Sequence, residues 1–172
     1  MTESSEEAGQ VDSPHILIIS APYYEDVAEL LINGASGELD ARGASHELVT
    51  VDGALEIPQA FAAAVDAGIV PKRSPFEGRF DGVVALGCVI RGETSHYDVV
   101  VNNANHWLMQ IATSEAIPLG NAILTVDTKQ QAMKRANGRE GKGGDAARAC
   151  LGLIEMQRGF LAERDSLWAE LS

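Results

Sequence analysis

The sequence predicts a three-layer α/β sandwich built on a four-stranded parallel sheet. Short β-branched or apolar runs occupy residues 15–20, 45–51, 81–90 and 121–126, and a segment with helical character follows each run. Strands that alternate with helices in this way form βαβ units, whose strands lie parallel in one sheet. The third run is apolar almost throughout, which is typical of a strand buried on both faces. A sheet this narrow has two edges that need cover, so we also expect self-association.

The first two helices are delimited by proline and glycine. A helix over residues 24–42 follows the break at Pro22 and ends before Gly43. Its apolar positions recur at helical spacing, at Val27, Leu30, Leu31 and Gly34. The second helix is predicted to begin at Pro58, because proline suits the first helical position, and to end at Gly68.

The third helix is predicted to run from Ser95 towards Ala116, where Pro118 prevents its continuation. Thr94 or Ser95 would cap its first turn with a side-chain oxygen.

Two more helices follow the fourth strand. Asp127 would cap a short one, with Gln130 at its third position in a capping-box variant. After a glycine-rich loop at residues 137–144, the last helix would extend over residues 145–169. One side of this helix is apolar and carries Ala149, Leu153, Met156, Phe160 and Leu167.

Length and charge limit the possible functions. The 172 residues suit one domain, placed at residues 14–172 after an acidic, serine-rich tail at 1–13 that we expect to be disordered. The net charge is −12 and no Lys or Arg precedes Arg42, which argues against nucleic-acid binding. The sequence has no apolar run of membrane-spanning length and no signal peptide, so we expect no membrane partner. Cys88 and Cys150 are expected to be reduced core residues, which indicates a cytoplasmic protein.

Residues suited to ligand binding follow the first two strands. Tyr23 adjoins Tyr24, and an aromatic ring at a pocket mouth can stack on a flat heterocycle. Packing of that ring against a neighbouring helix is the alternative. Glu56 could accept hydrogen bonds from hydroxyl groups, or simply interact with the dipole at a helix start. Ligands of open α/β sheets bind at the carboxyl ends of strands, where both residues are expected to lie.

The stretch after the third strand indicates an anion site beside a proton-transfer group. Residues 92–95, GETS, offer free N–H groups at a helix N-terminus, although such sequences also cap many helices. His96 falls in the first helical turn, where a neutral imidazole is favoured and can exchange protons; a structural histidine is the alternative. Arg135 belongs to a late basic patch and can bind phosphate bidentately, unless the patch is only a solvated helix end.

Several catalytic classes are not supported by the motifs. The four histidines lack metal-ligand spacing, and HExxH, a cysteine cluster, a Walker A loop, GxGxxG and GxSxG do not occur in the sequence. We therefore expect no metal site. An anion site, a site for a planar ring and one histidine together indicate acid–base chemistry on a phosphorylated small molecule.

Residues 87–98, GCVIRGETSHYD, resemble the signature of the 6,7-dimethyl-8-ribityllumazine synthase family of riboflavin biosynthesis. Three other segments agree in order and spacing: APYYEDVAELLINGA, GALEIPQAFAAAV and IPLGNAILTVDTKQQAMKRA. The resemblance covers about residues 15–160 and implies a flavodoxin-like fold. It also implies condensation of 5-amino-6-(D-ribitylamino)uracil with 3,4-dihydroxy-2-butanone 4-phosphate, with release of phosphate and water and without a cofactor.

The resemblance implies a role for each matching residue on the pyrimidine side of the site. Tyr23 would stack on the pyrimidine. The segment that would hold the ribityl chain comprises Ala54, Leu55 and Glu56. The strand end whose backbone would recognise the uracil edge comprises Cys88, Val89 and Ile90. Asn121 matches a substrate contact made across a subunit interface, where many family members have Phe or Tyr.

On the phosphate side, Glu93 and Thr94 match positions whose backbone amides hold the butanone phosphate. Glu93 would act only through its backbone, because its carboxylate repels phosphate. Arg135 matches the arginine that pairs with the phosphate, and His96 matches the proton-transfer histidine.

The resemblance further implies a homo-oligomer, either a pentamer or pentamers assembled into a larger particle, with active sites between subunits. The loop at 137–144 looks longer than its common form in the family, which favours isolated pentamers. Riboflavin synthase would be a further partner. Two alternatives remain open at this point: a protein of the same fold that carries lumazine or flavin without turnover, and a shell-forming paralogue.

Overall fold

The computed structural model describes residues 13–71 and 78–171. The predicted disordered tail lies outside these residues except for Ser13, as does most of the loop between Pro71 and Gly78. The strands of the described part are β1 His15–Ser20, β2 Ser45–Thr50, β3 Gly82–Ile90 and β4 Leu119–Val126. Its helices are α1 Glu25–Ala41, α2 Glu56–Asp66, α3 His96–Ser114, α4 Lys129–Ala136 and α5 Lys142–Leu171.

The four strands form one parallel sheet in the order β2-β1-β3-β4, which confirms the predicted fold class. One core cluster joins the sheet to α1, α4 and α5, and a second joins it to α2 and α3. The sheet is therefore covered on both faces, as the apolar sequence of β3 predicted. Strand β2 is an edge strand whose Leu48 and Val49 are exposed.

The strand order places a crevice between β1 and β3. From β1 the chain passes to β2 on one side, and then returns to β3 on the other side of β1. Connections that leave neighbouring strands in opposite directions open a gap at their carboxyl ends, where ligands bind in such sheets. In register, Ser20 lies opposite Leu86, whereas β3 continues to Ile90 alongside β4.

The first two helices differ in detail from their prediction. In α1, Val27, Leu31 and Gly34 are buried as expected, but Leu30 is only half-buried. Helix α2 begins at Glu56, two residues before Pro58. Pro58 still lies in the first turn, where backbone N–H groups have no intrahelical partner, so the N–H that proline lacks costs no hydrogen bond. The prediction of Pro58 as the first residue was therefore wrong by half a turn.

The predicted caps also need correction. Ser95 flanks α3 with helical φ and ψ angles and makes no side-chain cap bond, while Thr94 Oγ1 accepts from the N–H of His96 at 3.4 Å. For α4 the cap is Thr128 rather than Asp127: its hydroxyl accepts from the N–H of Gln131 at 3.2 Å. The capping residue and its partner each lie one position later than predicted.

The last helix begins at Lys142, so the loop before it spans only residues 137–141. Its buried residues include Ala147, Cys150 and Ile154. The apolar side that the sequence predicted is a different side of the helix. It is largely exposed, and the Phe160 side chain is 65% exposed. An apolar helix side left open in one chain is consistent with contact between chains.

Candidate active site

The carboxyl ends of the strands enclose a cavity of about 360 Å³. Its wall consists of the turn after β1, the segment before α2, the end of β3 and the first turn of α3. The lining residues are Tyr23, Tyr24, Gly53, Ala54, Leu55, Glu56, Cys88, Val89, Ile90, Gly92, Thr94, His96, Tyr97 and Val100. Nine of the twelve predicted site residues are in this set, and the exceptions are Glu93, Asn121 and Arg135.

Two tyrosines form the mouth of the cavity. The Tyr23 side chain is 73% exposed, so the alternative in which it packs against a helix does not apply. Its ring meets that of Tyr24 edge to face, with centroids 5.0 Å apart. Lys129 Nζ lies 5.2 Å from the centroid of the Tyr24 ring and bonds Asp26 Oδ1 at 2.7 Å. Burial raises the pKa of Tyr24, with the neighbouring Cys88 and Tyr23 adding to the effect, so its hydroxyl stays neutral and able to donate.

The end of β3 presents backbone to the cavity. Pairing of β3 with β1 ends at Leu86, whose carbonyl oxygen accepts from the N–H of Ala21 at 2.9 Å. Pairing with β4 on the other side continues to Ile90. Residues 87–90 therefore turn one backbone edge towards the space beyond β1. Such an edge supplies alternating donors and acceptors in the plane of a flat ligand.

The thiol of Cys88 is not suited to act as a nucleophile. Cys88 is buried, and burial raises its pKa to about 11. The thiolate is the nucleophilic form, so at neutral pH this thiol stays protonated and inert. Its contribution to the cavity is therefore backbone and apolar surface.

On the opposite wall, Ala54 is buried and Glu56 exposes its carboxylate at the start of α2. The backbone N–H of Glu56 donates to the carbonyl oxygen of Gly53 at 3.1 Å. This turn directs the residues before α2 to the cavity, where an exposed carboxylate accepts hydrogen bonds from hydroxyl groups.

Residues 91–95 connect β3 to α3 and are exposed, as is His96. The guanidinium of Arg91 lies 4.0 Å from the centroid of the Tyr97 ring, its Nε donates to Asp127 Oδ1 at 3.2 Å, and its Nη1 donates to Asp98 Oδ1 at 3.4 Å. These contacts fix the beginning of the loop against α3 and the end of β4. Arg91 was not among the predicted site residues. The one signal that could have pointed to it is its position within the signature at residues 87–98.

Two predicted site residues lie away from this chain's own cavity. Asn121 is exposed near the amino end of β4, where its Nδ2 donates to Asn105 Oδ1 at 2.7 Å. Arg135 is exposed in the last turn of α4 and donates from Nη1 to the carbonyl oxygen of Gln131 at 3.2 Å. Neither residue lines the cavity. Glu93 is exposed in the loop beside it.

The described part of the chain, residues 13–71 and 78–171, contains no group of three His, Cys, Asp or Glu side chains placed to hold a metal ion. It also contains no helix of sufficient length and apolar character to cross a membrane.

The fold and cavity define an α/β protein with a cavity at the switch point of its sheet, lined by two tyrosines, the end of β3 and a histidine in the first turn of α3. The family model for 6,7-dimethyl-8-ribityllumazine synthase matches residues 13–158. The chain belongs to the 6,7-dimethyl-8-ribityllumazine synthase family, and it is an enzyme of riboflavin biosynthesis.

Individual relatives agree with the family match over most of their length. A Rhizobium meliloti (strain 1021) protein named 6,7-dimethyl-8-ribityllumazine synthase 1 is 49% identical over 151 residues, which cover 87% of this chain and 95% of the relative. A 6,7-dimethyl-8-ribityllumazine synthase of Agrobacterium fabrum is 45% identical, covering 86% and 97%. One from Rhodopseudomonas palustris (strain BisA53) is 43% identical, covering 92% of each chain.

Proposed function

We propose that this enzyme condenses 5-amino-6-(D-ribitylamino)uracil with 3,4-dihydroxy-2-butanone 4-phosphate to 6,7-dimethyl-8-ribityllumazine, with release of inorganic phosphate and water. The main support is the arrangement of Tyr23, Glu56, His96 and the free backbone edge of β3 around one cavity. These groups match the parts of a ribitylaminouracil and the proton transfers of a condensation. Neither a metal nor an organic cofactor has a part in this proposal.

The pyrimidine would lie between Tyr23 and the end of β3. The exposed Tyr23 ring offers a face on which the uracil stacks, and Tyr24 supports that ring from the side. The backbone of Cys88, Val89 and Ile90 would pair with the polar edge of the uracil. Stacking would fix the plane of the ring, and edge pairing would fix its orientation within that plane.

The ribityl chain would extend towards the start of α2. Ala54 and Leu55 contribute wall and backbone there, and the Glu56 carboxylate accepts hydrogen bonds from the chain's hydroxyl groups. A hydroxyl-bearing substrate is favoured over an apolar one, because an apolar tail would leave this carboxylate without the bonds that water otherwise makes.

The phosphate would bind at the amino end of α3. The free N–H groups around Glu93 and Thr94 and the helix dipole both favour an anion there. His96 in the first turn would transfer protons during imine formation, phosphate elimination and ring closure, and holding two reactants together supplies much of the remaining rate. Arg135 would provide the positive charge that pairs with the phosphate.

Since Arg135 and Asn121 lie outside their own chain's cavity, we propose that a neighbouring copy supplies them. This requires a homo-oligomer, either a pentamer or pentamers in a larger particle. Two apolar grooves support it: one of about 490 Å³ between α2 and α3, beside Trp107, and one of about 370 Å³ between α3 and α5, beside Phe160. We place the enzyme in the cytoplasm, with riboflavin synthase, which consumes its product, as a further partner.

The test is a product assay with purified protein and both substrates, following the absorbance of the lumazine. Reactions lacking either substrate and the variant His96→Ala serve as controls. Lumazine formation that depends on both substrates would establish the activity. Binding of lumazine or flavin without turnover would instead support the carrier hypothesis, which nothing in the comparisons favours.

A further inference from the structure

A buried carboxylate on α1 lies at the centre of three arginines. Glu38 is 2% exposed. Its Oε1 accepts from Arg42 Nε at 2.7 Å, and its Oε2 accepts from Arg139 Nε and Nη2 at 3.1 and 3.0 Å. Arg148 Nη1 lies 3.1 Å from the same Oε2. The hydrogen bond from Arg42, aided by Arg139 and opposed by burial, holds the pKa of Glu38 below its ordinary value, so the carboxylate is charged at neutral pH.

The three arginines belong to different segments. Arg42 directly follows α1, so its bond to Glu38 is local. Arg139 belongs to the loop of residues 137–141 that joins α4 to α5, and Arg148 belongs to α5. Arg148 Nη1 also donates to the carbonyl oxygen of Arg139 at 3.3 Å. Glu38 therefore ties this loop to α1 directly and to α5 through Arg148.

The loop backbone also lies against both helices at distances that exclude a side chain. A Cβ at Gly34 of α1 would lie 2.7 Å from the carbonyl oxygen of Gly138, and a Cβ at Gly144 of α5 would lie 1.8 Å from that of Arg139. Glycine alone permits such an approach. The loop thus rests between α1 and α5 in the place where Arg139 reaches Glu38.

Arg135 lies in the last turn of α4, two residues before this loop begins. Its guanidinium bonds the Gln131 carbonyl of its own helix, so its direction follows that of the last turn of α4. Helix α4 has eight residues, and helices this short are marginal without outside support. Buried Ala132 and Ala136 supply part of that support by packing in the core, and the anchored loop, which begins just after Ala136, fixes the carboxyl end of the helix.

We propose that Glu38 is a positioning residue for the phosphate-bearing substrate: through Arg139 it fixes the loop at 137–141, and with it the direction in which Arg135 points. The inference rests on the proposed function and on the role given there to Arg135. It holds whether Arg135 serves its own chain's cavity or a neighbour's, because the anchor lies within one chain.

The experiment compares Glu38→Gln, Arg139→Gln and Arg42→Gln in the full-length protein. Arg42 and Arg139 are matched: their side chains are 53% and 56% exposed, and each donates to Glu38, but Arg139 alone of the two belongs to the loop. We expect Glu38→Gln and Arg139→Gln to raise the KM for the butanone phosphate about tenfold, as expected for a misplaced binding group. Their KM for the ribitylaminouracil, and both KM values of Arg42→Gln, should stay unchanged.

Inorganic phosphate is the second probe, measured by direct binding to the wild type and to each variant. Weaker phosphate binding in Glu38→Gln and Arg139→Gln, but not in Arg42→Gln, supports the inference. If all three variants only lower the thermal midpoint and leave KM and phosphate binding unchanged, Glu38 is structural and the inference fails. An effect of Arg139→Gln alone would mean that Arg139 itself contacts phosphate, which also overturns it.

The two proposals fail separately. A wild-type protein that makes no lumazine contradicts the proposed function, and phosphate binding by the variants still tests the anchor. An active wild type whose Arg139→Gln and Arg42→Gln variants behave alike contradicts the anchor alone. That pair also decides the question if Glu38→Gln does not fold.

Discussion

His96 is the side chain on which the chemistry is proposed to depend, and its exposure in the first turn of α3 leaves it free to reach a bound substrate. Replacing it by alanine should lower kcat by about 10²–10⁴-fold, the usual contribution of a general acid–base group, and leave substrate binding intact. Steady-state kinetics with both substrates measures this. His106→Ala, on an exposed position of the same helix, is the matched control and should turn over normally. Equal kcat values for the two variants would remove His96 from the mechanism.

Cys88 lines the same cavity but should be chemically silent. Because burial raises its pKa to about 11, the thiolate fraction at pH 7 is very small. Cys150 is still more buried, and its pKa is raised to about 12. Alkylation of the native protein by iodoacetamide should therefore be slow at pH 7 and rise about tenfold per pH unit up to pH 9, as the thiolate fraction does. Fast labelling at pH 7 would contradict the buried, protonated state. Cys88→Ala should keep kcat.

At the scale of single elements, α1 combines an apolar side with one buried charge. The pKa of Glu38 is lowered, so the stability that this group contributes is complete above its unfolded value, about pH 4.3, and is lost as pH falls through the folded value. Glu38→Gln should lower the free energy of unfolding at pH 7 by about 3 kcal/mol, the lower end for a broken buried ion pair, since water reaches two of the arginines.

The measurement is denaturant unfolding of the wild type and Glu38→Gln between pH 7 and pH 3. The difference between the two proteins should shrink on acidification, because the wild type loses a contribution that the variant never had. Glu29→Gln, at an exposed position of the same helix, is the control and should change stability little. A difference that stays constant with pH would show that Glu38 is not charged in the folded protein.

Helix α5 shows how an element can be recognised while its orientation is mistaken. Its apolar residues suggested one side, yet the small residues Ala146, Ala147 and Cys150 face the core. Small side chains allow α5 to lie close to α1 and β4, and the larger ones remain outside. The side that carries Phe160 is thereby left exposed in the single chain.

At the scale of the whole molecule, the proposed sharing of one active site between two chains can be tested by complementation between two inactive variants. We expect His96→Ala and Arg135→Ala each to be poorly active, the second through a raised KM for the butanone phosphate. When the two variants are co-expressed in equal amounts, about a quarter of the sites should combine an intact His96 with a neighbour's intact Arg135, because head-to-tail interfaces pair the two at random.

Activity of the co-expressed mixture above that of either variant would support the shared site. The control is the same two proteins mixed after separate purification, where subunits have had no chance to combine. A mixture no better than its components would mean that Arg135 serves its own chain. Light scattering and native mass measurement should give a multiple of five chains, and a monomer would contradict the assembly.

The amino-acid sequence by itself determined the strand and helix order, the parallel sheet and nine of the residues around the cavity. Period, glycine and proline positions are local signals that define the elements, and parallel strands bring their carboxyl ends to one edge, which is why Tyr23, Glu56 and His96 were expected to lie together. Most of the other cavity residues followed only from the resemblance to the family. Cap positions and the start of α2 were missed by one or two residues, since neighbouring polar residues compete for the same role.

Only the tertiary structure decided the rest. It places Asn121 and Arg135 outside the cavity, joins Glu38 to Arg139 across the chain, and turns the large apolar side of α5 outward. These features depend on which surfaces face each other after packing. Residues a hundred positions apart carry no mutual signal in a single sequence, because their contact arises only when the helices dock on the sheet.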